Sequence, residues 1–200
     1  MRSFLFAGFL VVACATGAAA DPYEDARSAI ERGDDALAAR LLRSLAEEGD
    51  SRAQLRLGAM YLIGQGVPED HRKAAKWFRQ AAEREDPRAQ AMLGELYTAG
   101  QGVPQDYQEA TKWLRRAAEQ RDAGAQSDLG LLYELGHGVA QDFIHAHMWF
   151  SFAAAALSGE KGKTATENRD RVASHMTVAE IAKAQQMARR CQETNFKECD

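Results

Sequence analysis

The chain has 200 residues, of which 46% are hydrophobic, and this is enough for one ordinary domain with a hydrophobic core. Its 25 basic and 29 acidic side chains are interspersed and give a formal net charge of −4 at pH 7. A mildly acidic surface of this kind opposes the phosphate backbone of nucleic acids, so the composition argues against a nucleic-acid partner.

The first 20 residues have the pattern of a secretory signal peptide. Arg2 gives a positive start, and residues 4–12 form a short apolar run. Residues 18–20 are all alanine and offer a small-residue cleavage site. The apolar run is too short for a membrane span, which needs about 20 residues. We therefore expect a periplasmic or secreted protein that begins at Asp21 after cleavage near Ala20.

The leader also allows an alternative in which Cys14 carries a lipid. The segment over residues 11–14 is similar to the motif that directs lipidation of a cysteine, although such motifs more often carry leucine where Val11 stands. A lipid at Cys14 would hold the protein on a membrane surface as a lipoprotein scaffold for envelope assembly. Plain cleavage after Ala20 is the preferred prediction.

Unlike residue types recur along the chain at one period of 36 residues, which is the mark of a repeat protein. The recurrence divides residues 51–158 into three units, 51–86, 87–122 and 123–158. The recurring residues include Leu57, Leu93 and Leu129; Tyr61, Tyr97 and Tyr133; Gly66, Gly102 and Gly138; and Trp77, Trp113 and Trp149.

Each unit is predicted to form two helices joined by a glycine turn. In the first unit, residues 51–63 place apolar side chains at helical spacing, and the glycines and proline of residues 64–68 interrupt that helix. The glycines can adopt positive φ angles, and Val67 can insert into the core. Asp70 is a natural N-cap for the second helix. Gly58, within the first helix, is expected to let a neighbouring backbone come close.

Further signals mark the helix boundaries. Residues 86–87 are Asp-Pro, which caps the next first helix with proline in its preferred first position. Asp106 with Glu109, and Thr177 with Glu180, have the spacing of a capping box.

The two ends of the repeat array are atypical. Residues 21–50 are predicted to form a partial repeat, with a second helix that fits the period and the short turn 33–34 in place of the glycine turn. After the third unit, residues 158–163 are interpreted as a polar linker, followed by helices at about 164–175 and 177–191. Because the last unit of a solenoid must cover an apolar face, residues 159–200 are predicted to be C-terminal capping helices and a tail.

The string Leu-Gly-x-x-Tyr-x-x-Gly-x-Gly-Val-x-x-Asp, followed by Ala-x-x-Trp-x-x-x-Ala-Ala, resembles the Sel1-like repeat, a relative of the tetratricopeptide repeat. The resemblance implies an all-α fold, a right-handed α-solenoid whose first helices line a concave surface. Members of the family are adaptors and regulators that hold other proteins, often in bacterial envelopes. The resemblance therefore implies a protein or peptide partner and no cofactor. Glu85 and Arg121 depart from the family's glycine after the second helix, which is expected to loosen two turns.

Motifs that would indicate catalysis are weak. Residues 158–161 fit the S-x-x-K pattern of penicillin-recognising enzymes, but the sequence has neither of the companion motifs S-D-N and K-T-G. His145 and His147 are two residues apart, so on a helix they point in different directions and cannot share a metal. We predict no metal site and no enzymatic activity. A cell-wall-directed enzyme or β-lactam-binding protein is the alternative.

Cys191 and Cys199 are the only cysteines after the leader, and an exported protein meets oxidising conditions. The sequence therefore predicts a disulfide between them. Along a continuous helix the pair would be about 12 Å apart, so this bond requires the last helix to end near Cys191.

Differences between the units predict the binding face. Positions on which all units agree are explained by packing that each unit must repeat, whereas varying positions are free for selection by a partner. One varying stripe on the first helices should, by resemblance, lie on the concave side, apolar at its N-terminal end and acidic at Glu95 and Glu134. We expect a partner segment that is apolar at one end and basic at the other. The stripe contains Leu55, Ala59 and Leu62, then Ala91, Glu95 and Thr98, then Ser127, Leu131 and Glu134.

Overall fold

The computed structural model describes residues 21–199, and this part of the chain is a succession of ten α-helices with no strand. None of the helices described is long and apolar enough to cross a membrane. The predicted signal peptide, including Cys14, lies outside the described residues. The helices are α1 (Pro22–Glu31), α2 (Asp35–Glu48), α3 (Ser51–Ile63), α4 (His71–Ala82), α5 (Pro87–Ala99), α6 (Tyr107–Glu119), α7 (Ala123–Leu135), α8 (Phe143–Ala156), α9 (Gly159–Ala173) and α10 (Val178–Glu193).

Two kinds of helix, called A and B, alternate along the chain. The A helices α3, α5 and α7 each pack along the B helix that follows, which is α4, α6 or α8, and each of α4 and α6 packs on the next A helix. The A helices begin at Ser51, Pro87 and Ala123, so the structural unit has the 36-residue length of the sequence repeat. A shorter pair, α1 and α2, precedes them. The prediction of an all-α solenoid of helix pairs is confirmed.

Each helix from α1 to α8 begins after an aspartate whose side chain accepts a hydrogen bond from a backbone N–H of the first turn. These bonds satisfy N–H groups that have no partner within the helix. The predicted capping box of Thr177 and Glu180 is complete. Asp106 caps α6, but Glu109 pairs with Lys112 at 2.5 Å instead of closing the box. The capping aspartates are Asp21, Asp34, Asp50, Asp70, Asp86, Asp106, Asp122 and Asp142.

The second glycine of each Gly-x-Gly turn lies against the start of the preceding B helix. Gly66 has a φ of 64°, and a Cβ atom placed on it would lie 2.2 Å from the carbonyl oxygen of Asp35. Gly102 and Gly138 have the same relation to α4 and α6, at 2.1 Å. Val67 beside them is half-buried against the core, as predicted. A side chain at the second glycine would therefore push neighbouring units apart.

A buried glutamine in each of α3, α5 and α7 ties that helix to the unit before it. The side-chain amide of Gln90 donates to the carbonyl oxygen of Ala82, at the end of α4, at 3.2 Å. Gln54 and Gln126 make the equivalent bonds to α2 and α6. The last carbonyl groups of a helix have no partner within it, so these bonds satisfy buried acceptors between units.

Gly58 lies beneath an aromatic ring, and at the equivalent Gly94 the backbone oxygen of Ala110 would lie 3.3 Å from an added Cβ atom. A Cβ atom on Gly58 would lie 2.7 Å from the ring of Phe78, because that large side chain fills the space left by the missing methyl group. At Glu85 and Arg121 the backbone keeps the positive φ that glycine provides in related repeats, at 61° and 66°. The two turns therefore persist, each at a strain of roughly 1–2 kcal/mol.

The helical period continues beyond the point at which the residue pattern ends. α9 begins at Gly159, one period after the first residue of α7, so the prediction of a polar linker over residues 158–163 is wrong. Its glutamate and lysines are good helix formers, and they form the exposed side of a helix. Gly162 lets α9 come close to Leu157, whose carbonyl oxygen would lie 2.5 Å from an added Cβ. Both α9 and α10 pack on α8.

Candidate functional site

Accessible residues of the A helices, together with Tyr23 of α1, define the surface that we call the A-helix face. A groove joins side chains of α1, α3 and α5. Charged groups on α7 and α9 lie close enough to Glu95 on α5 to influence its pKa. The A-helix face comprises Tyr23, Arg52, Leu55, Arg56, Ala59, Leu62, Arg88, Glu95, Thr98, Ser127, Asp128 and Leu131.

Most of the predicted binding residues are accessible to solvent at least in part. Five are half-buried, and Glu95 and Leu131 are exposed. Thr98 keeps its hydroxyl on the carbonyl oxygen of Gly94 at 3.0 Å, so its polar group already has an intramolecular partner. Seven of the nine positions are thus accessible in part or fully. The five half-buried residues are Leu55, Ala59, Leu62, Thr98 and Ser127.

The other two predicted residues, Ala91 and Glu134, are buried. Ala91 is 6% exposed and packs in the core around α6 and α8, so its methyl group belongs to the fold. Glu134 is 8% exposed, and its carboxylate pairs with Arg171 of α9 at 3.0 Å. Because α9 brings this arginine over the end of α7, the expectation of a free acidic side chain at Glu134 is wrong.

A groove at the N-terminal end of the A-helix face is rich in arginine, and we call it the arginine groove. Its volume is about 420 Å³. The guanidinium of Arg52 is neutralised there by Asp21 at 2.9 Å and Asp50 at 2.8 Å. Arg56 is half-buried and Arg88 is exposed, and neither guanidinium makes a hydrogen bond or ion pair within residues 21–199. The groove is lined by Tyr23, Arg52, Leu55, Arg56, Ala59, Asp86, Pro87 and Arg88.

The C-terminal end of the A-helix face carries two carboxylates without partners. Burial raises the pKa of Glu95 to about 7, helped by the charges of Asp128 and Asp122 and opposed by Lys161. Burial also raises the pKa of Asp128 to about 6, again helped by Asp122. Glu95 is reachable by solvent, but the protein around it excludes part of the water that would solvate its charge. Neither carboxylate accepts a hydrogen bond within the described residues.

Equivalent positions in the three units change charge along this face. The position of Arg56 is taken by Met92 in the second unit and Asp128 in the third. The position of Arg52 is taken by another arginine, Arg88, and then by glycine. The face is therefore basic at one end and acidic at the other. The arginines and Asp128 were not among the predicted residues, although their change in charge at a spacing of 36 residues is visible in the sequence.

The described part of the chain holds no cluster of three histidine, cysteine, aspartate or glutamate residues that could bind a metal. His145 pairs with Asp142 at 2.8 Å, whereas His147 is buried and does not share this partner. Burial lowers the pKa of His147.

The S-x-x-K pattern lies at the start of α9. Ser158 is the N-cap residue of this helix, but its hydroxyl accepts no hydrogen bond from a backbone N–H there. Lys161 acts electrostatically on Glu95 and Asp128.

The sulfur atoms of Cys191 and Cys199 are bonded, with their Cα atoms 4.5 Å apart. α10 continues to Glu193, and the chain then reverses through Asn195 and Phe196, both with positive φ. The ring of Phe196 is buried and lies 4.9 Å from the ring of Phe152 on α8. The loop thus covers the C-terminal end of α8.

Comparisons with known proteins identify the repeat. The Sel1 repeat matches residues 23–50, 51–86, 87–122 and 123–156. A protective antigen present in uropathogenic Escherichia coli strains, described as displaying an SLR fold, is 31% identical, with a TM-score of 0.73 over 88% of this chain and 42% of its own. A Sel1 repeat protein from Oxalobacter formigenes is 30% identical, with a TM-score of 0.59 over 72% of this chain and 66% of its own.

A comparison with curated proteins returned no match. This chain spans less than half of the E. coli antigen and about two thirds of the O. formigenes protein. The activities of those whole proteins are therefore not assigned to this chain. The four repeat matches nevertheless cover well over half of its residues. The chain belongs to the Sel1 repeat family.

Proposed function

We propose that this protein is an extracytoplasmic adaptor that holds a segment of a partner protein on its A-helix face. Sel1 repeat proteins are generally scaffolds for protein–protein interaction, which supports a protein partner. The observation that carries the proposal is the set of charged groups on this face without intramolecular partners. They are Arg56 and Arg88 at one end and Glu95 and Asp128 at the other.

Unpaired charges in partly desolvated places are unfavourable for an isolated protein. The raised pKa values of Glu95 and Asp128 report this cost, because burial penalises the ionised form. A basic side chain of a partner would favour the ionised form and relieve the penalty. The partly buried residues Leu55, Ala59 and Leu62 lie on the same helix as Arg56, at the basic end of the face, and offer apolar contact. The face thus suits a segment with an acidic residue next to an apolar residue at one end and a basic residue at the other.

Substitutions on this face test the adaptor function, with a partner captured from the native compartment by crosslinking. Leu62→Glu and Glu95→Lys should each weaken the partner's affinity at least tenfold, while circular dichroism shows that both variants remain folded. Glu47→Lys is a charge-matched control, because Glu47 is exposed on α2, outside the face. Wild-type affinity in both test variants would refute the assignment of the face and direct the search to the B helices.

Export to the periplasm or the medium forms part of the proposal. The leader pattern over residues 1–20 and the disulfide between Cys191 and Cys199 both support it. Intact-mass analysis of protein purified from its native host should give a mature chain that begins at Asp21. A mass that includes a diacylglycerol on Cys14 would instead make the protein a lipoprotein scaffold on a membrane surface.

A further inference from the structure

We propose that the arginine groove is a carboxylate-binding subsite for an acidic side chain of the partner segment, and that it sets the direction in which the segment lies. This inference rests on the proposed function, because it assigns the ligand of one end of the A-helix face. The partner chemistry is an acidic residue next to an apolar residue, followed further along the segment by a basic residue.

The donors for such a carboxylate are the guanidinium groups of Arg56 and Arg88. A guanidinium presents several N–H donors in a planar fork that matches the two oxygens of a carboxylate. Arg52 already forms ion pairs with Asp21 and Asp50, and its guanidinium carbon lies 4.6 Å from the ring centroid of Tyr23. These contacts hold the Arg52 side chain in place at the side of the groove. Arg56 and Arg88 have no partner within the described residues and can turn toward a ligand.

The groove contains no carboxylate that is free to occupy this position. Asp86 is the one acidic residue among the described lining residues. Its Oδ1 accepts hydrogen bonds from the backbone N–H groups of Arg88 and Ala89, both at 3.0 Å, and caps α5. The side chain of Asp86 is thus held at the start of the helix. The N–H donors of Arg56 therefore remain available, although this residue is half-buried.

The lining of the groove also specifies the neighbour of the acidic residue. Leu55 and Ala59 are half-buried on α3, and the rings of Tyr23 and Pro87 line the same cavity. A charge-assisted hydrogen bond is stronger where apolar surroundings exclude water. An apolar side chain next to the acidic one would fill this space and shield the pair.

The change from basic to acidic residues along the A-helix face sets the direction in which the partner segment binds. Arg56 on α3 and Asp128 on α7 occupy equivalent positions two repeat units apart. A segment with its acidic residue over Arg56 and its basic residue over Asp128 meets complementary charge at both ends. In the opposite direction it meets like charge at both ends, which disfavours binding.

The test uses the whole mature chain and an acetylated, amidated Leu-Glu-Glu peptide, whose blocked C-terminus leaves only side-chain carboxylates. We expect the arginine Nε–H NMR signals of Arg56 and Arg88 to shift and saturate with this peptide, and the matched Leu-Gln-Gln peptide to leave them unchanged. Arg56→Gln with Arg88→Gln should weaken binding at least tenfold. Arg40→Gln is the control, because Arg40 is exposed on α2 outside the groove. Unshifted signals, or equal shifts with both peptides, would overturn the subsite.

Binding of the captured partner separates this inference from the proposed function. If the double arginine variant binds the partner as wild type while Leu62→Glu and Glu95→Lys bind weakly, the adaptor face stands and the carboxylate subsite is wrong. If all these variants bind as wild type, the proposed function fails as well.

Discussion

Gly102→Ala tests the contact between the glycine turn of one unit and the start of α4 in the unit before it. Gly102 has a φ of 71°, and a Cβ atom there would lie 2.1 Å from the carbonyl oxygen of His71 and 2.3 Å from its carbonyl carbon. A methyl group cannot approach backbone atoms so closely, and a helix start has little freedom to retreat. The turn and the start of α4 must therefore separate by roughly 1 Å, which disturbs the packing between two units.

The expected loss has two parts that a matched variant separates. Positive φ costs alanine about 1 kcal/mol relative to glycine. The steric overlap adds to this, and we expect a total loss of at least about 3 kcal/mol in the free energy of unfolding. Gly33→Ala is the control, because Gly33 has a φ of 76° but no atom within 4 Å of an added Cβ. It should lose only about 1 kcal/mol.

Urea unfolding followed by circular dichroism at 222 nm measures both variants under the same conditions. The difference between Gly102→Ala and Gly33→Ala isolates the contact between units from the backbone strain that the two share. Equal losses in the two variants would refute the close approach of the turn to α4, and with it the account of why the second glycine recurs.

Two further outcomes follow from the structure. Cys191→Ser should lower the free energy of unfolding by about 2–3 kcal/mol, and reductant should lower that of the wild type to the same level; an unchanged value would show that the loop does not depend on the bond. Because Glu95 and Asp128 have pKa values of about 7 and about 6, above those of an unfolded chain, both bind protons more readily when folded. The free energy of unfolding should therefore rise as the pH falls from about 8 to about 5, by about 1 kcal/mol for Asp128 after allowance for solvent. Asp128→Asn should remove that part of the pH dependence, and an unchanged profile would contradict the assignment.

The repeat architecture could be predicted because each unit packs on its neighbours through the same contacts. The recurring glycines, the Asp N-caps and the apolar stripes are consequences of contacts that every unit makes, so their period is visible in the sequence. Gly102 illustrates this, since its contact with His71 recurs at the same position in the neighbouring units.

The capping helices were harder to predict because they share the period without sharing the residues. α9 occupies the place of an A helix, yet Gly162 stands where the other A helices carry the buried glutamine. Its glutamate and lysines face solvent, so they resemble a linker in the sequence. The burial of Glu134 could not be foreseen for a related reason, since it depends on where α9 brings Arg171.

The candidate site was predicted in part. Varying positions on the A helices identified Leu55, Ala59, Leu62 and Glu95, because a single stripe at helical spacing is readable from the sequence. The change from Arg56 to Asp128 between units is visible in the sequence at a spacing of 36 residues, but the groove that Arg56 shares with Arg88 depends on how the units stack.

Site-specific photo-crosslinking in the native host tests the central claim, that a partner binds on the A-helix face, most directly. A photoreactive phenylalanine would replace Ser127 or Leu131, which are accessible on this face, and in separate strains Arg40 or Lys76, which are exposed on α2 and α4. The account predicts one common protein adduct from Ser127 and Leu131 and none of that adduct from Arg40 or Lys76. The same adduct from Arg40 and Lys76, with none from Ser127 and Leu131, would contradict it.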